Sequence, residues 1–88
     1  MYSLLFQKKA KEEFSRIDPI WQKRVKTKLE ILAKNPAALS NSISPLTGKR
    51  YKGMARLRVG SYRIVFQKKD EELIILIVWI ASRKDVYR

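Results

Sequence analysis

The stretch Arg56-Leu57-Arg58-Val59-Gly60-Ser61-Tyr62-Arg63-Ile64-Val65-Phe66 reads as two segments of period two on either side of a glycine. That period puts every second side chain of each segment on one face of a sheet. Gly60-Ser61 is a two-residue loop with glycine at its first central position, where a type II′ hairpin turn requires a positive φ. The pattern predicts a hairpin with strands over about 50–59 and 62–68. Such a turn sets the register: Val59 opposes Tyr62, Arg58 opposes Arg63, Leu57 opposes Ile64 and Arg56 opposes Val65. Lys52, Arg56, Arg58 and Arg63 then share the face that Ala55, Leu57, Val59, Ile64 and Phe66 leave. Like charges directly opposed on a sheet destabilise it. A phosphate would reverse that cost, because guanidinium groups give its oxygens charge-assisted and often bidentate hydrogen bonds. The pairing favours an anion site over a merely solvated basic face.

Working outward, Asp70-Glu71-Glu72 makes the next turn, and the aliphatic run 73–81 follows without alternation. It predicts an inner strand covered on both faces, or on one face by a partner. Upstream, residues 2–6 are a short apolar and aromatic run that predicts a first strand. In 8–17 the residues Ala10, Phe14 and Ile17 recur at helical spacing and mark a narrow apolar stripe. Asp18-Pro19 stops this helix and starts another, with Asp18 as N-cap and Pro19 at the first helical position. Trp21, Val25, Leu29 and Leu32 carry the second stripe, and Asn35-Pro36 ends it. Residues 37–49 are turn-rich and read as a loop. The expected fold is α+β: an N-terminal strand and an antiparallel αα hairpin packed on an antiparallel sheet of three to four strands, one domain over 1–88.

The chain has 88 residues, enough for one small core and too few for a two-domain enzyme. At 45% apolar residues it exceeds a disordered chain, and its longest apolar run falls well short of a bilayer span, so no membrane partner is expected. The N-terminal residues lack a signal-peptide pattern, which makes the cytoplasm the expected compartment. Twenty Lys and Arg against eight Asp and Glu give a net charge of +12, which predicts an anionic partner. There is no Cys and no His. Disulfides, thiol nucleophiles, imidazole acid–base chemistry and the usual zinc sites are thereby excluded, and no metal or cofactor is expected. The remaining catalytic groups are Arg, Lys, Tyr and carboxylates. The final residues, Ser82-Arg83-Lys84-Asp85-Val86-Tyr87-Arg88, add cations and a phenol after the inner strand, and Val86 and Tyr87 suit a segment that docks back on the sheet better than a frayed tail.

The hairpin run, the acidic turn, the aliphatic strand, Arg83-Lys84-Asp85-Val86-Tyr87 and the earlier Leu46-Thr47-Gly48 together resemble the RelE branch of the RelE/ParE toxins. The resemblance covers nearly the whole chain. It implies the stable half of a type II toxin–antitoxin module, with an acidic cognate antitoxin as partner. It also implies an endoribonuclease that cuts mRNA in the ribosomal A site without metal, beside ribosomal RNA. In that reaction the ribose 2′-OH attacks the adjacent phosphorus and leaves a 2′,3′-cyclic phosphate and a 5′-OH. By resemblance, Arg63 stabilises the phosphate, Arg83 serves the phosphate or leaving group, and Tyr87 is a general base or a base-stacking group. A phenol is ordinarily a poor base near neutral pH, and neighbouring cations favour its phenolate. Arg56 completes the expected catalytic set, and Lys52, Arg58, Lys84 and Arg88 form the expected RNA-binding set. Two lysines of the family pattern are Met54 and Arg56 here, and Lys52 is the candidate substitute. Arg56 retains a cation that holds its proton too tightly for easy acid–base work. The helical cations, among them Lys23, Arg24 and Lys28, read as a solvated face. Two other readings stay open: a ParE-type poison of DNA gyrase, against which Arg-x-Asp-x-Tyr argues, and a non-enzymatic nucleic-acid-binding module.

Overall fold

The computed structural model describes residues 1–82. In chain order it has β1 (Ser3–Phe6), α1 (Lys8–Ser15), α2 (Pro19–Lys34), a 3-10 segment (Pro36–Ser42), β2 (Ile43–Pro45), a 3-10 turn (Lys49–Tyr51), β3 (Met54–Val59), β4 (Tyr62–Lys69) and β5 (Ile74–Ser82). The five strands form one sheet in the order β1-β5-β4-β3-β2. The expected α+β class, with helices packed on a sheet, is borne out, and the sheet is larger and less regular than the sequence pattern indicates.

Local chemistry accounts for the helix boundaries. Asp18 caps α2, its carboxylate accepting a hydrogen bond from the Ile20 N–H at 3.0 Å, and Pro19 occupies the first helical position. At the other end Asn35 is extended (φ −154°, ψ 85°), as a residue before proline prefers. At the end of α1 the Phe14 carbonyl accepts from the Ile17 N–H at 3.2 Å and also from Gln22 Nε2 of α2 at 2.9 Å.

One face of the sheet makes the core. Leu57, Val59, Ile64, Phe66, Ile75, Ile77 and Ile80 are buried there together with Ala10, Ile17, Val25, Leu29 and Leu32 from the helical segment. The stripe residues Phe14 and Trp21 pack against this cluster, half-buried. β5 is the inner strand that its apolar run predicts, antiparallel to β4 on one side and beside β1 on the other. Its missing alternation has a local cause. Val65 pairs with Trp79 and Phe66 with Ile77, so Val78 is an extra residue in a bulge and the buried positions fall at 75, 77 and 80.

Three features depart from expectation. β1 runs parallel to β5, so the sheet is mixed: after the two helices the chain re-enters as β2 in the direction opposite to β1, and the three antiparallel steps from β2 to β5 restore the direction of β1. The segment 37–49 is not a plain loop: it begins with 3-10 turns that bury Leu39 and continues into β2, whose Ile43 pairs with Leu57 and Ser44 with Arg56. A three-residue strand containing proline is tolerated there because β2 is an edge. Finally, the strand expected from residue 50 starts at Met54, since Lys49–Tyr51 is a 3-10 turn and Gly53 has φ 77°.

Candidate functional site

The site is built on the β3–β4 turn. Gly60 has φ 59°, as the first central position of a type II′ turn requires. It also rests on α2: a Cβ at this position would lie 2.3 Å from Trp21 Cη2, so only glycine allows so close an approach. Trp21 in turn packs against Tyr62, ring centroids 5.6 Å apart. This contact clamps the hairpin to the helix, and the register is the expected one, with Arg58 opposite Arg63 and Arg56 opposite Val65.

On the face away from the core, Asn41, Ser42, Ser44, Arg56, Arg58 and Arg63 line a pocket of about 120 Å³. Each comes from a different constraint. Ser44 faces Arg56 across the β2–β3 ladder, while Asn41 and Ser42 end the 3-10 segment that leads into β2. Arg63 lies opposite Ala81 of β5, whose short side chain leaves room for the guanidinium. Its Nη1 donates to the carbonyls of Tyr62 at 3.1 Å and Gly60 at 3.2 Å, which turns the group towards the hairpin end. The ion pairs among the described residues, Lys68–Asp70 and Lys69–Glu72, lie in and beside the β4–β5 turn, so none of the three arginines is neutralised there. Among the described residues these three guanidiniums have no acidic partner, and with the hydroxyl and amide groups beside them they present the donors that a phosphate-sized anion accepts from.

Of the residues singled out from the sequence, Arg56, Arg58 and Arg63 are brought together. Lys52 is exposed in the turn before β3 and does not line the pocket, because Gly53 breaks the alternation that would have carried it onto the arginine face. Arg83, Lys84, Tyr87 and Arg88 lie outside the described residues. The polar wall of Asn41, Ser42 and Ser44 is an addition; the only sequence signal for it is the Ser/Asn-rich run 40–44, which also suits an ordinary loop.

At the opposite end of β5's core edge, β1 stops at Phe6, which pairs with Ile77. Beyond it the Ile80 N–H has no strand to meet and donates instead to Glu13 Oε1 of α1 at 2.9 Å. This bond holds the segment from which residues 83–88 continue.

Compared with known families, residues 1–87 match the model described as ParE toxin of the type II toxin–antitoxin system parDE. The chain belongs to the RelE/ParE toxin superfamily. A RelE-like toxin protein of Escherichia coli is 32% identical to this toxin over 88 residues, covering 98% of this chain and 90% of the relative. Among solved structures, the isolated E. coli RelE toxin is similar with a TM-score of 0.77 at 22% identity, covering 99% of this chain and 92% of that one. The RelB–RelE antitoxin–toxin complex of Methanococcus jannaschii contains a chain similar at TM-score 0.71 and 25% identity, with 94% of each chain covered. This RelE/ParE toxin therefore has the RelE fold, and no helix among its described residues is long and apolar enough to cross a membrane.

Proposed function

We propose that this toxin is an endoribonuclease that cuts mRNA in the ribosomal A site, and that the arginine pocket receives the scissile phosphate. The observation that carries the reading is the convergence of Arg56, Arg58 and Arg63 on one small pocket with no carboxylate from the described residues in its lining. As the 2′-OH oxygen bonds to phosphorus, its proton passes to a base, the P–O5′ bond breaks and the leaving oxygen takes a proton. Negative charge builds on the non-bridging oxygens, and preorganised guanidiniums stabilise it more than they stabilise the ground state. Tyr87 is assigned as the base or stacking group and Arg83 as the cation beside the leaving oxygen. No metal takes part in the proposed reaction.

The proposed partner in the resting module is an acidic antitoxin. A chain of net charge +12 with an unneutralised basic face favours one, and several similar structures are RelB–RelE complexes. Its association should slow as salt rises, since steering between opposite charges is screened.

Primer extension on a translated message tests the activity. New 5′ ends should appear within codons, and Arg63→Ala should lower cleavage by roughly 10²–10³-fold, the loss typical of removing one preorganised group that stabilises developing charge. The ParE description of the matching family model supports a second reading, poisoning of DNA gyrase. Double-strand DNA breaks with intact message would select that reading instead.

A further inference from the structure

A second and larger groove adjoins the arginine pocket. It has a volume of about 590 Å³ and lies between α2 and the hairpin tip, with Lys23, Arg24 and Lys28 from the helix and Arg58 from β3 in its lining. Ser42 and Arg58 line both cavities, so the two are neighbours on the surface. These helical cations read as a solvated face in the sequence, and the tertiary structure places them beside the site.

Several observations point to an anionic ligand. Arg24 and Lys28 are like charges four residues apart on one helix, an arrangement that weakens the helix unless an anion lies between or above them. Among the described residues, no acidic side chain lines the groove. Arg24 is held against an aromatic face, its guanidinium 4.8 Å from the centroid of the Trp21 ring, a contact that restricts its rotamers and so favours its grip on a phosphate. The same contact decides what part of a nucleic acid can bind. Arg24 covers the Trp21 ring, Gly60 closes on its edge and Tyr62 packs beside it, so the indole is a support for a cation and not a platform for a base.

From this geometry we infer that the groove binds the ribose-phosphate backbone of the same single RNA strand whose scissile phosphate enters the arginine pocket. The inference rests on the ribonuclease reading and extends it: the α2 cations add affinity along the strand without reading bases, as phosphate contacts do. They lie outside the pocket assigned to the chemistry.

The test uses the full chain and fluorescent 2′-O-methyl RNA, which cannot be cleaved, as a trinucleotide and a dodecanucleotide, with binding followed by anisotropy at several salt concentrations. Wild type should bind the dodecanucleotide more tightly than the trinucleotide. The variant Arg24→Gln/Lys28→Gln should lose that gain, leave trinucleotide binding unchanged, and flatten the salt slope for the dodecanucleotide by about 1.4, or about 0.7 for each lost phosphate contact. Oligo(A) and oligo(U) should be affected alike. Arg24→Lys/Lys28→Arg, which keeps both charges, should restore the slope, and circular dichroism should show that all variants remain folded. An unchanged dodecanucleotide affinity, an equal loss on both lengths, or a loss confined to one base composition would overturn the assignment. If only association with empty ribosomes weakens, the groove meets ribosomal RNA and the same-strand assignment is wrong. A wild type that binds neither oligomer would overturn it as well, whereas failure of the ribonuclease reading shows separately, as a translated message left uncut in primer extension.

Discussion

The two faces of the β3–β4 hairpin use the same backbone for opposite purposes. Leu57, Val59, Ile64 and Phe66 point into the helix-covered core and are at most 5% exposed. Their chain neighbours Arg56, Arg58 and Arg63 point the other way and line the arginine pocket. Core and site are thus interleaved residue by residue, and a slip of one position would exchange them. Burial of apolar area supplies the stability, while the charged face opposes it. Stability and function should therefore separate cleanly along a single strand.

The strongest test of that separation compares adjacent residues. Leu57→Ala should lower unfolding free energy by about 2–5 kcal/mol, the usual result of emptying a fully buried leucine site, whereas Arg58→Ala should shift it by no more than about 0.5 kcal/mol. Urea denaturation of both variants would measure the difference, and comparable losses would mean that the arginine face carries packing that the separation denies.

A smaller effect is expected at the turn that sets the register. Gly60→Ala combines a positive φ with a Cβ placed against the Trp21 ring, and should cost about 1–3 kcal/mol. With Trp21 first replaced by alanine the steric part disappears, and the penalty for Gly60→Ala should fall to about 1 kcal/mol. A double-mutant cycle from thermal melts reads this coupling, and equal penalties in the two backgrounds would show that α2 does not hold the turn.

The weakest effect lies far from the hairpin end, at the other edge of the sheet. Tyr2 donates to Asp70 Oδ1 at 2.5 Å. This hydrogen bond raises the Tyr2 pKa above its ordinary value, and it holds the Asp70 carboxyl below the usual carboxylate value. The Asp70 contribution is present above the ordinary carboxylate pKa and lost as pH falls through the lowered one. The Tyr2 contribution is present below the ordinary phenol pKa and lost as pH rises through the raised one. Asp70 is exposed and Tyr2 only partly buried, so the melting temperature of wild type minus Tyr2→Phe should show a shallow plateau between these limits. A difference independent of pH would show that the pair contributes nothing.

Much of this architecture was legible from near neighbours. Asp18-Pro19 and Asn35-Pro36 bound α2 through the backbone angles and hydrogen bonds of the residues themselves, and Gly60-Ser61 sets the hairpin register. The opposition of Arg58 and Arg63 follows from that register alone. Ile43-Ser44-Pro45 was not legible as a strand, because serine and proline favour turns and the segment becomes extended only by pairing with β3. The bulge at Val78 was equally hidden, since an all-aliphatic run carries no periodicity that could reveal an extra residue.

By itself the sequence determined the helix limits, the hairpin, the charge and the sharing of one strand face by Arg56, Arg58 and Arg63, all of which depend on residues a few positions apart. Only the tertiary structure decided that β1 lies parallel to β5, that Ser42 and Ser44 wall the arginine pocket, and that Arg24 and Lys28 stand beside it. Those juxtapositions join residues distant in the chain, and they arise because open strand edges must find hydrogen-bond partners and apolar stripes must be buried together. Neither requirement is satisfied within any single segment.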